Sequence, residues 1–487
     1  MRDKCIAVLC LICTAGLASE TDEVEAGLLR AARFFREEVS TEGGYLWSYS
    51  DDLALREGEG VADVMTVWVQ PPGTPSVGLA FLRAWQVTGE RYYLEAALAA
   101  GRCLVRGQMR SGGWQYKIHF DEKRRKGYDL RIEPSSSEKK VRRDSTLDDN
   151  TTQEALRFLV LLDEALKFED IGIHEAAVYG LTALLKVQFP NGAFPQTFQP
   201  DAVYDIKDCP IKKAEYPPEG AKPTHVSRYQ VFYTLNDNLL YDVNRLLLAA
   251  REVYTNEIYL AAARRVGDFI KLAQMPEPQP AWAQQYDFEM RPCWARKFEP
   301  ASVTGGESQS AIRALAKLFI VTGDAAYLEP IPRAVEYLKR SRLDDGRLAR
   351  FYEMRTNRPL YFTTDYKLTY EDNDLPTHYS FKVPFRVNEK ALASMGTMSA
   401  DDREREKRKI RQGGYRALVP SAKGSAKKTR RILKDLDAKG RWVRNLNMRA
   451  AKGENVRGIS CAEFVRNVAE LCAYIEAEKR KEKADRR

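Results

Sequence analysis

A helix pair followed by a loop carrying Gly and an aromatic ring occurs four times in this chain. No other feature restricts its fold as strongly. The first copy predicts a helix over Pro75–Thr88, a Gly89-Glu90 turn, a second helix from Arg91, then Gln108 and Gly112-Gly113-Trp114. The second runs from Thr152–Phe168 through His174-Glu175-Ala176-Ala177 to Gln188 and the loop Asn191–Gln196. The third spans Asn238–Val253, Tyr259-Leu260-Ala261-Ala262, Gln274 and Trp282; the fourth spans Glu307–Thr322, the Gly323-Asp324 turn, Tyr327 and a helix to Lys339. Equivalent positions Tyr93, Ile173, Tyr259 and Tyr327 stand 80, 86 and 68 residues apart.

One such pair cannot bury its apolar faces alone, so neighbours must stack or close into a ring. Tetratricopeptide-type solenoids repeat helix pairs too, but at about 34 residues. Longer, irregular repeats with chemistry-rich loops favour an all-α fold, an (α/α) toroid of helical hairpins whose loops open at one rim. Small β-like additions are expected at 347–362 and 365–387, and long polar loops at 117–145 and 199–230. A final amphipathic helix is expected over Ile459–Glu476.

Charge separates the chain into unequal parts. From 401 onward there are 26 Lys and Arg against 13 Asp and Glu, whereas residues 1–400 carry 51 against 55. The net charge of +9 therefore belongs to the C-terminal segment, and nucleic acid is not an expected partner. We read 19–400 as the toroid and 401–487 as a basic, partly helical extension, with SAKGSAKKTRR as a flexible stretch. Residues 1–18 read as an export signal: Arg2 and Lys4 precede an apolar run to Leu17, and Gly16 and Ala18 suit cleavage. That run falls short of the ~20 residues a membrane helix needs, so a secreted or periplasmic protein without a membrane span is expected, and a monomer. The five other cysteines lack metal or framework spacing, and the four histidines offer no HxxxH pair, which leaves little material for zinc or a Ser-His-Asp triad.

Two acidic amide-rich turns open first helices: Asp148-Asp149-Asn150-Thr151 and Asn236-Asp237-Asn238. Ordinary N-capping accounts for both, with Glu154 completing a capping box with Thr151. Alternatively the two turns supply hard oxygen ligands to one Ca²⁺. Arg296 lies in PCWARKFE and Arg358 in TNRP; each is either a structural or cation–π residue, or a carboxylate-binding guanidinium. Trp114, Phe194 and Trp282 are either core or sugar-stacking rings.

DNTTQEALRFL, QFPNGAFPQ, TLNDNLL, AWAQQYD, PCWARKFEPASVTGGES and RFYEMRTNRPLY occur in that order across about 145–362. Together they resemble the pectate lyases of polysaccharide lyase family 10. The resemblance implies an (α/α) toroid, Ca²⁺ dependence and β-elimination of polygalacturonate, giving 4,5-unsaturated oligogalacturonides. It implies Asp149 and Asp237 at the metal, Asn150 at the sugar, Arg296 as the base that takes the C5 proton, and Arg358 on a uronate carboxylate. Glu307, Arg313 and Trp282 are further substrate-binding expectations. The sequence departs from the family at Gly192-Ala193-Phe194-Pro195-Gln196, where a Trp is replaced, and in its closing stretch near Arg411–Tyr415. Two other functions remain open: a toroid hydrolase using paired carboxylates, and a non-catalytic protein that binds acidic polysaccharide.

Overall fold

Gln108, Gln188 and Gln274 each stand just past the end of a helix and each tie their own loop to the next repeat. The Gln108 amide donates to Gly112 O at 3.0 Å and Ala176 O at 2.9 Å. Gln188 donates to Gly192 O at 3.1 Å and Ala262 O at 3.0 Å. Gln274 donates to Pro280 O at 2.9 Å and Pro330 O at 2.8 Å. A repeated hydrogen-bond pair of this kind fixes the angle between successive hairpins, because each buried amide spans both.

The computed structural model describes residues 19–135, 141–221 and 224–486; the expected export signal, 1–18, lies outside them. Its helices are α1 (Glu20–Phe34), α2 (Thr74–Thr88), α3 (Arg91–Gly107), the short α4 (Glu122–Arg125), α5 (Thr151–Ala165), α6 (Ile171–Lys186) and α7 (Leu239–Tyr254). They continue with α8 (Glu257–Leu272), α9 (Gly305–Thr322), α10 (Ile331–Arg340), α11 (Glu389–Met395), α12 (Ala400–Ile410), α13 (Ala426–Lys434) and α14 (Cys461–Asp485). Burial sorts them into two layers. Helix α5 is buried at every position from Thr151 to Asp163, whereas α3 buries one face through Tyr93, Ala96, Ala97, Ala100 and Leu104. A helix buried all round must be inside other helices, and an amphipathic one must lie outside them.

The inner helices are α2, α5, α7, α9 and α14; α2 packs on α5, α5 on α7, α7 on α9, and α14 on α2, while α12, which has no buried residue, lies against α9. The outer layer is α1, α3, α6, α8, α10 and α13. Loop glycines press against the next outer helix. A Cβ on Gly192 (φ +95°) would lie 1.9 Å from Arg265 O of α8, and one on Gly440 (φ +84°) 2.4 Å from Arg30 O of α1. The second contact closes the ring, since Gly440 follows α13 and Arg30 belongs to the first helix. The fold is the expected (α/α) toroid.

This closure corrects the expected domain boundary. Residues 401–487 are not an appendage to a 19–400 toroid: they supply α12, α13 and α14, and Ile432, Trp442 and Phe464 join the single large core. The stretch expected to be flexible, 421–431, runs into α13 from Ala426 onward. Its basic side chains project outward while Thr429 and Ile432 are buried, so charge density hid an amphipathic outer helix.

The three loop tryptophans obey one rule. Trp114 Nε1 donates to Leu104 O at 2.8 Å, Trp282 Nε1 to Ile270 O at 2.7 Å and Trp442 Nε1 to Ile432 O at 2.9 Å. Each caps the helix before it. Trp282 has 0% of its surface exposed, so the expected sugar contact is overturned: the ring is core, as are Trp114 and Phe194. At the rim a four-stranded antiparallel sheet joins Val303–Thr304, Phe351–Tyr352, Pro359–Phe362 and Leu368–Thr369. All five cysteines among the described residues are buried and free. No helix among those residues is long and apolar enough to cross a membrane.

Candidate functional site: carboxylates and arginines at the rim

Asp149 and Asn150 have φ of +48° and +58°, and Asp237 and Asn238 have φ of +49° and +65°. Left-handed backbone is uncommon outside glycine and is concentrated where short polar side chains are held for a purpose. Both pairs sit in one-turn 3₁₀ segments, Asp148–Asn150 and Asn236–Asn238, that run directly into α5 and α7. Neither Asn150 nor Asn238 makes a side-chain cap. The capping box expected between Thr151 and Glu154 is absent too: Glu154 instead accepts two hydrogen bonds from Arg157, at 2.9 and 2.7 Å. Capping therefore does not explain these turns.

What they do is gather acids. One carboxylate oxygen each from Asp148, Asp149 and Asp237 lies within 4.8 Å of the others. Tyr116 donates to Asp148 Oδ2 at 2.8 Å, Gln70 to Asp149 Oδ2 at 2.9 Å and Asn236 to Asp237 Oδ2 at 2.7 Å. Asp148 Oδ1 and Asn236 Oδ1 are buried without a hydrogen-bond partner. Burial, then the charges of Asp148 and Asp237, push Asp149 up to about 7. Burial and Asp237 likewise raise Asp148. Crowded carboxylates with spare hard oxygen atoms fit Ca²⁺, which takes several such ligands. Asp148 was missed as a ligand at the sequence level, although it adjoins Asp149.

Two arginines face this cluster. Arg296 Nη2 donates to Glu299 Oε1 at 2.5 Å, and its charge acts on Asp148 and Asp149. Burial works to discharge Arg296, but the hydrogen bond and charge of Glu299 prevail and raise its pKa. Arg350 Nη2 donates to Asp237 Oδ1 at 3.2 Å and lies 3.9 Å from Glu307 Oε1. Burial opposes its charge as well; Glu307, Tyr379 and Asp237 outweigh it. Tyr379 links the two, lying 4.3 Å from the Arg350 guanidinium and 5.6 Å from that of Arg296, and donating to Glu299 at 2.9 Å.

The expected residues divide accordingly. Asp149, Asp237, Arg296 and Glu307 come together, with Asn150 beside Asp149 and its side chain hydrogen-bonded to Glu154. Arg313 of α9 donates to Ser310 Oγ at 2.9 Å and to Asn238 Oδ1 at 3.2 Å, the residue directly after Asp237. Arg358 is not brought into the cluster. It is exposed at the far turn of the strand hairpin and lies 3.4 Å over the Tyr370 ring. Arg350 stands at the opposite end of that hairpin, fixed by Gly305 N donating to its carbonyl at 3.1 Å. Glu299, Arg350 and Tyr379 were the residues sequence reasoning passed over. Glu299 was visible three positions after Arg296; Arg350 and Tyr379 depend on strand pairing that no local pattern reveals.

Residues 108–315 match the model of the pectic acid lyase family, so the resemblance read from the motifs holds over that segment. No curated protein matches the chain. Among solved structures, a family 10 polysaccharide lyase from Cellvibrio cellulosa is 16% identical, covering 66% of this chain and 98% of that one, with a TM-score of 0.42. A cellobiose 2-epimerase from Spirochaeta thermophila is 14% identical, covering 94% and 98%, with a TM-score of 0.45.

Proposed function

Proceeding from the match of residues 108–315 to the pectic acid lyases, we propose that this protein is a lyase that cleaves polygalacturonate by β-elimination with the help of Ca²⁺. The observation that carries this reading is the meeting of three carboxylates within 4.8 Å with two arginines that share one tyrosine. An anionic sugar requires cations, and a C5 proton beside a carboxylate becomes removable only when that carboxylate is neutralised.

Asp148, Asp149 and Asp237 would hold the Ca²⁺. Bound there, the ion would supply Lewis-acid polarisation of the uronate carboxylate. Arg350, between Asp237 and Glu307, would bind that carboxylate as a fixed planar donor. Arg296 is our choice for the group that takes the C5 proton. The C5–H electron pair then forms the C4–C5 double bond, the C4–O bond breaks, and the departing oxygen takes a proton from water. As it stands, Arg296 is a cation held by Glu299, so it must lose a proton before it can act. Neighbouring positive charge favours that loss, and the rate should rise toward alkaline pH.

The test is direct. Polygalacturonate with Ca²⁺ at high pH should give the ultraviolet absorbance of a conjugated unsaturated uronide with the wild type and not with Arg296→Ala. New reducing ends without that absorbance would assign hydrolysis instead; binding without turnover in any arm would leave a polysaccharide-binding protein. Export is a further part of the proposal, checked by the N-terminal residue of the protein recovered outside the cell.

A further inference from the structure

Beside the acidic cluster a cavity of about 550 Å³ opens between α9 and the segment leading into α11 and α12. Its two ends differ in chemistry. Asp237, Glu307 and Arg350 form one end, so it is continuous with the site described above. The other end is largely apolar: Ile312, Ala316 and Ile320 line one stripe of α9, and Leu392 and Met395 of α11 face them with Ile410 of α12, where Glu406 is the one acid. Between the two ends, Arg313, Lys317 and Arg386 line the wall.

Unmodified polygalacturonate has no use for such an apolar chamber, since each of its sugars carries a carboxylate and hydroxyls. Helix α11 has no fully buried residue; its Leu392 and Met395 pack against the edge of the core from one side. They are half-buried and cover the cavity. We propose that this cavity is a specificity site for an aromatic acyl ester carried on the uronide chain, with the sugar acid at Arg350 and the acyl ring between α9 and α11. The volume is in the range of small-molecule pockets, about 300–1,000 Å³. Cations at the neck suit both an ester carbonyl and the face of an arene, and the Met395 thioether suits a ring edge. An aliphatic lipid fits less well, because the apolar end leads directly from a mouth built for anions.

The inference rests on the lyase reading only for the identity of the sugar it extends. The experiment therefore measures binding without turnover. Calorimetry on Arg296→Ala compares a partly O-benzoylated oligogalacturonate with the unmodified oligomer of equal length. The benzoylated oligomer should bind about tenfold more tightly, as expected for burying part of a ring. Ala316→Trp, which fills the apolar end, and Leu392→Glu, which charges its cover, should each abolish that preference and leave the Kd of the unmodified oligomer unchanged. Equal affinities in the parent, or a preference that survives both substitutions, would overturn the proposal. If the preference is found while wild type gives no unsaturated product, the lyase reading fails and this site stands. If product forms with no preference, the reverse holds.

Discussion

Arg350 Nη2 lies 3.2 Å from Asp237 Oδ1 and 3.9 Å from Glu307 Oε1, so one guanidinium separates a carboxylate of the acidic cluster from a second, deeper acid. Burial raises Glu307, and Asp237 raises it further, while Arg350 opposes both. Arg350 also lies against Tyr379, whose ring faces Arg296 as well. Arg350→Ala should therefore lower kcat/KM by about 10²–10³, the loss seen when one preorganised donor is removed from a developing charge. Ca²⁺ should bind at least as tightly as before, because a competing cation has left Asp237. Arg350→Lys should restore little, since a point charge cannot bind in two places as a planar fork does. Calorimetric Ca²⁺ titration beside steady-state rates separates these effects.

Asp149 gives a pH prediction with a defined sign. Its carboxyl is raised to about 7 from the ordinary 3.8, so the folded protein holds a proton that the unfolded chain releases. A raised acid stabilises the fold when protonated, and that contribution is lost as pH climbs from about 4 through about 7. Metal-free protein should therefore lose thermal stability across that window, and added Ca²⁺ should recover it at the upper end. Ca²⁺ affinity should fall by about tenfold per pH unit below about 7, as one proton competes for one ligand. In Asp149→Asn the fall in metal-free stability across that window should flatten, which melting curves at successive pH values will detect.

Glu299 holds Arg296 in its charged form through a 2.5 Å hydrogen bond. Glu299→Gln keeps the shape and removes the charge. If Arg296 takes the C5 proton, the alkaline rise of the pH–rate profile should move to lower pH in this variant. A guanidinium that only binds substrate would lower the rate at every pH and leave the profile in place.

How much of this was legible beforehand follows from the range of the interactions involved. Helix pairs show themselves by local periodicity, and the turns carrying Asp149 and Asp237 lie in local sequence directly before their helices. The Trp282 role was ambiguous because a ring in a Gly-rich loop reads alike as platform or plug; only the 2.7 Å bond to Ile270 O distinguishes them. Arg358 drew attention because TNRP is a compact motif. Arg350, eight positions earlier, reaches the site because Phe351 pairs with Thr304 at the start of α9. Such pairing across 47 residues leaves no mark in either segment alone.

Trp282→Phe tests the plug. Losing the indole N–H leaves Ile270 O without its donor in a dry interior, costing about 1–3 kcal/mol, and the smaller ring adds a cavity penalty. Melting temperature should drop while KM for polygalacturonate stays the same, because the side chain has no surface to offer a sugar. A raised KM at unchanged stability would return Trp282 to the binding site.

The last hairpin gives the sharpest test of the ring itself. Gly440 sits at φ +84°, with space for its Cβ blocked 2.4 Å away by Arg30 O. Trp442 plugs the same loop, and α14 packs against both α1 and α2. Gly440→Ala must strain a left-handed backbone and push α13 and its loop off α1, and should cost about 1–3 kcal/mol. Ending the chain after Pro420 should do far more. It removes α13 and α14 and exposes the buried faces of α1 and α2, including Leu28, Ala31, Phe81 and Leu82. That fragment should show no cooperative thermal transition and should aggregate. A soluble, cooperatively melting fragment ending at Pro420 that still binds Ca²⁺ would mean that the basic segment is an attachment after all, and that the ring closes without it.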